Sequence, residues 1–80
     1  MAVIEHLFVE HFGAFVGKTS ERITVSIKGE RITQAPLLYL EAITIASDGV
    51  GLSSDAVAAC CERGIPIFFV DGVGRPVGSI

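Results

Sequence analysis

Two cysteines, two histidines and a scatter of acids are the residues of this chain that could do chemistry. Cys60 and Cys61 are neighbours in "SSDAVAACCERGIP". Adjacent helix positions point about 100° apart, so the two sulfurs cannot serve one tetrahedral metal. A redox pair would be Cys-x-x-Cys at a helix N-terminus, where the dipole lowers a thiol pKa. These two lie toward the opposite end of their segment. At least one is expected to be a small core hydrophobe, as free cysteines commonly are. Cys61 as a redox thiol is the enzymatic alternative. His6 and His11 on an extended chain face opposite sides of a sheet, and Glu5 and Glu10 fail as a pair by the same parity. Asp48, Asp55 and Asp71 stand where turns and helix caps use aspartate. There is no Ser-His-Asp order, nucleophile elbow or paired-carboxylate motif. No catalytic residue and no metal ligand is assigned.

Two further stretches carry weaker signals. "ASDGVGLSSDA" places Gly49-x-Gly51 between a strand and a capped helix, the outline of a phosphate cradle at a helix N-terminus. The third glycine of the dinucleotide fingerprint is missing, and no Gly-Lys-Ser/Thr follows. A tight strand-to-helix turn explains the same glycines. "DGVGRP" sets Arg75 on a hairpin tip, either as a solvated turn residue or as a contact for an acidic partner.

The elements that must position these residues are mostly strands. Val3 to Glu10 reads as a strand, followed by Gly13 and an extended piece from Ala14 to Lys18. "RITVSIK" alternates, with Ile23, Val25 and Ile27 on one side and Arg22, Thr24, Ser26 and Lys28 on the other. Gly29-Glu30 suits a type II′ hairpin link into "RITQ". Pro36, lacking an amide donor, ends that strand. "LLYLEA" predicts a single helical turn or an irregular link, and "AITIA" a strand. Ser53 or Ser54 caps the helix that follows, Asp55 favours its dipole, and Gly64 takes the left-handed exit. Pro66 forbids continuation. "IFFV" predicts a strand buried on both faces. Asp71-Gly72 turns the chain into a last strand from Pro76 to Ile80. The fold class is therefore α+β: a β-rich domain of antiparallel hairpins with one main helix and a strand-helix-strand crossover.

The bulk properties point to a partner. An 80-residue chain is one small domain, and it buries only roughly 60% of the surface it exposes when unfolded. Half of its residues are hydrophobic, 19% are charged, and the mean hydropathy is +0.60. That leaves apolar surface for another copy or another domain. No apolar run approaches the ~18 residues of a membrane span. The net charge of −3 argues against a free-standing nucleic-acid binder, which needs a cationic excess. "MAVIEHLFVEHF" lacks the basic start of a signal peptide. Adjacent cysteines make no useful staple, so the expected compartment is reducing and cytoplasmic. The end at "PVGSI", inside a strand, predicts a piece of a longer protein.

Residues 37–78 have a familiar order. Pro36-Leu37 is followed by Leu40 to Ile43, the Ser53-Ser54 cap, Val57-x-x-Cys60-x-x-x-Gly64-Ile65-Pro66, the apolar run from Ile67 to Val70, and Gly74-Arg75-Pro76-x-Gly78. This arrangement, with the upstream hairpin "ITVSIKGERITQAP", resembles the N-terminal β-domain of the CRISPR-associated endonuclease and integrase of spacer acquisition. The resemblance implies a parent enzyme that inserts captured DNA into the CRISPR array. It places the catalytic Glu, His and Asp and their Mg²⁺ or Mn²⁺ in a helical domain absent from this chain. No cofactor is expected within residues 1–80, and this fragment alone should be inactive. The implied partners are a second copy, joined through the β-domain, double-stranded or forked DNA, and a second, smaller adaptation subunit. The first function expected is thus a dimerising scaffold with minor DNA contact through Lys18, Arg22, Lys28, Arg31 or Arg75. The alternative is a small anion- or nucleotide-binding module using the loop from Gly49 to Ser54.

Overall fold

The computed structural model describes residues 5–71 and 75–80. Two four-stranded sheets and one helix share a single core. In chain order the elements are β1 (Glu5–Val9), β2 (Ala14–Thr19), β3 (Arg22–Ile27), β4 (Glu30–Pro36), a 3-10 turn (Leu37–Tyr39), β5 (Leu40–Ile45), β6 (Gly51–Leu52), α1 (Ser54–Arg63), β7 (Ile67–Val70) and β8 (Pro76–Ser79). The first sheet has the order β1-β5-β7-β8 and the second β4-β3-β2-β6. The fold is α+β and rich in strands, as its patterning predicts.

Antiparallel hairpins build only part of it. β2, β3 and β4 form an antiparallel meander, and β7 and β8 a hairpin. β1 and β5 pair in parallel, however, as do β5 and β7, and β2 and β6. The β5-α1-β7 crossover is the expected one. The parallel neighbours β1 and β5 are separated by the whole meander, a long-range pairing that no local turn signal encodes. Nor does a two-residue strand such as β6 have a period to read.

The core is a layer of aliphatic side chains from both sheets. Ile23, Ile43, Ile67, Val9, Val16, Val25 and Cys60 are fully buried. Each such isoleucine or valine contributes roughly 1.5–3 kcal/mol of burial free energy. In the first sheet the register lines Leu7, Ile43 and Ile67 in one row and Val9, Ile45 and Phe69 in the next. In the second it aligns Val16 with Val25 and Ile23 with Ala35. α1 adds Ala56, Ala59 and Cys60.

Local signals decide the helix ends and correct one turn. Ser53 is the N-cap, its hydroxyl oxygen accepting from the Ala56 amide at 3.1 Å. Gly64 exits in the left-handed region at φ 68°. The Gly64 amide donates to Cys61 O at 3.2 Å and the Ile65 amide to Cys60 O at 2.8 Å, the paired bonds of a Schellman ending. The β3–β4 link is Lys28-Gly29, not Gly29-Glu30, because Ile27 pairs with Glu30. Both central residues have positive φ, 53° and 80°, so the turn has the φ signature of type I′ rather than II′. A register break between Val25 and Ser26 leaves Ile32 as an extra residue on β4, a bulge that strands at sheet edges commonly carry. Two expectations fall partly outside the described residues: the start of the first strand at Val3, and the Gly72 half of the Asp71-Gly72 turn.

Candidate functional site

Strand alternation gives each sheet an outer face as well as a buried one, and the two outer faces differ. On the first sheet, His6 and Phe8 of β1 align with Ala42 and Thr44 of β5, Thr44 with Phe68 of β7, and Phe68 with Ser79 of β8. Val77 is the extra residue of β8 at the register break between Phe69 and Val70. Phe8 is 58% exposed, Phe68 40% and Val77 66%. The His6 ring stacks on Phe8 with centroids 4.3 Å apart and planes within 8°. Its Nε2 lies 2.7 Å from Thr44 Oγ1. None of these side chains carries a fixed charge. "IFFV" is therefore an interior strand of its sheet, but not buried on both faces: Ile67 is in the core while Phe68 is open.

On the second sheet the outer positions are mostly polar, with Phe15 lying beside the buried Thr24 and over Gly17. Phe15 aligns with Ser26, Gly17 with Thr24, and Thr19 with Arg22. Across to β4, Ser26 meets Arg31, Thr24 meets Gln34, and Arg22 meets Pro36. Arg22 and Arg31 thus share this face, and the Arg31 guanidinium lies 3.4 Å from Gln34 Oε1. Lys28 sits in the turn just beyond. Lys18 aligns with the core residue Ile23, so it belongs to the inner parity and reaches water only at the strand end. Arg75 is on the other sheet's hairpin. Its amide donates to Asp71 Oδ1 at 2.9 Å and its Nε to Asp71 Oδ2 at 3.0 Å. The five basic candidates therefore do not form one patch. Two share a face, one borders it, and two lie elsewhere.

The glycine stretch is covered by aromatic rings. A Cβ on Gly49 would meet the Phe12 ring at 3.1 Å, and one on Gly51 the Phe15 ring at 3.0 Å. Gly51 and Leu52 pair with β2 as β6, and the Ser53 amide donates to Val16 O at 2.9 Å. The amides of an open phosphate cradle are thus partly committed to β2, and the glycines make room for Phe12 and Phe15. No pocket forms among the described residues.

The cysteines separate as neighbours on a helix must. Cys60 is buried and Cys61 exposed. Burial pushes the Cys60 thiol above its ordinary pKa, and the neighbouring Cys61 adds to the shift, so Cys60 packs rather than reacts. Asp55 lies in the first turn of α1. Among the described residues no three His, Cys, Asp or Glu side chains converge on a point that could hold a metal.

The family model described as "CRISPR associated protein Cas1" matches residues 7–80. The chain belongs to the Cas1 family. It is 37% identical over 68 residues to the CRISPR-associated endonuclease Cas1 1 of Francisella tularensis subsp. novicida (strain U112), a match covering 85% of this chain and 21% of that protein. The chain thus spans about a fifth of its curated relative. Among solved structures, a partial Cas6-RT-Cas1–Cas2 complex superposes with a TM-score of 0.87 at 19% identity, over 96% of this chain and 23% of the other. A CAS1 protein from Thermotoga maritima gives 0.80 at 19% identity, over 100% and 24%. A TtCas1-DNA complex gives 0.78 at 23% identity, over 96% and 28%. At these identities the structural likeness speaks for the fold. The resemblance legible in the sequence is borne out for the family. What the sequence did not disclose in this Cas1-family chain is the aromatic outer face. Its one signal was apolar residues at both parities of a short strand, Phe8 beside Leu7 and Phe68 beside Ile67.

Proposed function

We propose that this chain is the scaffold portion of a Cas1-family DNA integrase acting in CRISPR spacer acquisition, with its chemistry carried on another part of the parent protein. The observation that carries this reading is the uncharged aromatic face of the first sheet. Exposed Phe8 and Phe68, on either side of Thr44, give this face the apolar character that a protein interface requires. Its occupant is a second copy of the chain. The second sheet contributes Arg22 and Arg31, with Lys28 at its border, to a surface along which double-stranded or forked DNA runs. Lys18 and Arg75 are at most peripheral, because one leaves from the inner parity and the other is held by Asp71. A smaller Cas2-type subunit completes the assembly, a reading supported by fold relatives described as Cas1–Cas2 complexes. The casposase bound to integration product, with a TM-score of 0.74 at 12% identity, supports the integrase setting only through its shared fold. The parent's Mg²⁺ or Mn²⁺ and its Glu, His and Asp belong to the helical domain, and the cytoplasm is the compartment.

Two measurements on the 80-residue chain test this. Sedimentation equilibrium should give a concentration-dependent dimer. Forked-duplex binding should be weak and should fall steeply with salt, because phosphate contacts release counterions. A protomer that stays single at high concentration would remove the scaffold reading. DNA binding insensitive to salt would remove the basic face.

A further inference from the structure

The outer face of the second sheet carries one aromatic ring among the described residues, and glycines make its seat. Phe15 stands on β2, opposite Gly51 of β6 and two residues before Gly17. A Cβ on Gly17 would meet Phe15 Cε2 at 3.4 Å, and one on Gly51 would meet Phe15 Cδ1 at 3.0 Å. Each long edge of the ring thus lies against a different glycine, so the ring lies over the sheet instead of standing off it. It remains 47% exposed. Thr24 Oγ1 borders the same Gly17 position at 3.5 Å. From Phe15 the register runs through Ser26 to Arg31, two strands away, which is roughly 10 Å at the usual strand spacing. Arg22 stands on the same face at the start of β3. Among the described residues no carboxylate occupies an outer register position of this sheet. Glu30 aligns with Ile27 on the inner parity, and Glu21, in the β2–β3 turn, is held by Arg63 at 2.7 Å.

We propose that Phe15 is a stacking platform for an unpaired base, so that this face takes single-stranded nucleic acid through a contact that duplex cannot make. The proposal rests on the DNA reading of this sheet given above and adds the residue that reads the form of the strand. A ring with open surface stacks any base, because every base has a π-face. A duplex keeps its bases stacked on one another and meets a flat sheet mainly with its phosphates. Arg22 and Arg31 then hold the phosphates of a strand whose base rests on Phe15. An exposed ring among cations on one sheet face is the arrangement by which sheet modules hold single strands. The charge decides the occupant. A second copy of this face would set guanidinium against guanidinium, and an apolar cover would bury both without a carboxylate partner. A polyanion meets neither cost. Shielding two glycines needs only bulk, whereas stacking needs an aromatic face, and a leucine at this position separates the two roles.

The test is fluorescence anisotropy of the 80-residue chain at low salt with two probes. One is an oligothymidylate of about 12 nucleotides, within the site sizes of single-strand-binding domains, and the other a duplex of the same length. Phe15→Leu should weaken single-strand binding roughly tenfold, the loss of one stacked base, and should change duplex binding by less than about twofold. Phe15→Tyr should keep the single-strand affinity. A 2-aminopurine placed in the oligonucleotide should lose fluorescence on binding the wild-type chain, a signature of stacking that needs no variant. Single-strand binding unmoved by Phe15→Leu, a Phe15→Tyr variant no better than Phe15→Leu, or 2-aminopurine that stays bright overturns the platform and leaves the basic face standing. A wild-type chain that binds neither probe overturns both.

Discussion

The outer face of the first sheet presents His6, Phe8 and Phe68, and that of the second Thr19, Arg22, Ser26 and Gln34. Both sheets press the same kind of aliphatic row into the shared core. Packing alone therefore does not account for the contrast on their far sides. An outer face that stays wet is free to be polar, and the second sheet follows that rule. Phe15 lies over Gly17 and Gly51, much as aromatic rings shield strand glycines elsewhere, and exposed Ile32 is the bulge residue of the edge strand β4. The first sheet breaks the rule with residues that have no such glycine to cover. In a chain of this size, a face that departs from the wet pattern marks where a partner goes.

Inserting charge into one face and not the other should break the comparison most sharply. Phe68→Asp should weaken self-association by more than ~100-fold, about 2.7 kcal/mol, because it buries an unpaired carboxylate. Arg22→Asp on the second sheet should leave the dimer constant within about twofold, since rim and remote charges contribute little. Sedimentation equilibrium of both variants reads the difference. Equal effects would show that the two faces do not divide the work.

The rings over the glycines give the next largest effect. Gly49 and Gly13 both hold positive φ, 70° and 78°, but only Gly49 has a ring against its missing Cβ. Gly13→Ala should cost about 1 kcal/mol of backbone strain. Gly49→Ala should cost up to about 1 kcal/mol more, the low end of overpacking, because the Phe12 ring it meets is 78% exposed and can give. Urea unfolding measures both, and Phe12→Ala combined with Gly49→Ala should return the excess. If the two glycines cost the same, Phe12 is not packed there.

Sharpening the other face is a matter of salt. Arg22→Ser with Arg31→Ser should lower the slope of log affinity against log salt for duplex DNA by about 1.8, at roughly 0.9 per phosphate contact. Anisotropy titrations at several ionic strengths report it. Arg75→Ser should change the slope less, because Asp71 already neutralises that guanidinium. An Arg75 effect equal to that of the pair would move the DNA path to the β7–β8 hairpin.

Much of this was legible in the residues. Ser53, Gly64 and Pro66 framed α1, and the β-branched run from Ile23 to Ile27 framed β3, because caps and alternation are local physics. The Lys28-Gly29 turn was misread by one residue, since Gly at the second central position of type I′ and at the first of type II′ leave the same letter in neighbouring frames. The parallel pairing of β1 and β5 is set by the shared core, across the whole meander. The outer aromatic face was hidden because exposure is a property of neighbours. Phe68 and Phe69 are identical letters in "IFFV", and only the sheet decides which one meets water.

The smallest effect concerns what joins the two faces' supports. Arg63, in the last turn of α1, donates to Glu21 Oε2 at 2.7 Å, clasping the helix to the β2–β3 turn. The partners are 42% and 71% exposed, so solvent screens the pair, and pairs of this kind contribute about 0.2–1 kcal/mol. The same turn is already fixed through its backbone, where Glu21 O accepts from the Leu37 amide at 2.9 Å. Arg63→Ala should therefore shift the urea midpoint by no more than about 0.5 kcal/mol in free energy. It should leave both the dimer constant and the DNA salt slope unchanged. A larger loss of stability, abolished in a Glu21→Gln background, would mean that the helix is held by this clasp rather than by Ala56, Ala59 and Cys60 in the core. The two outer faces would then share a polar support as well as an apolar one.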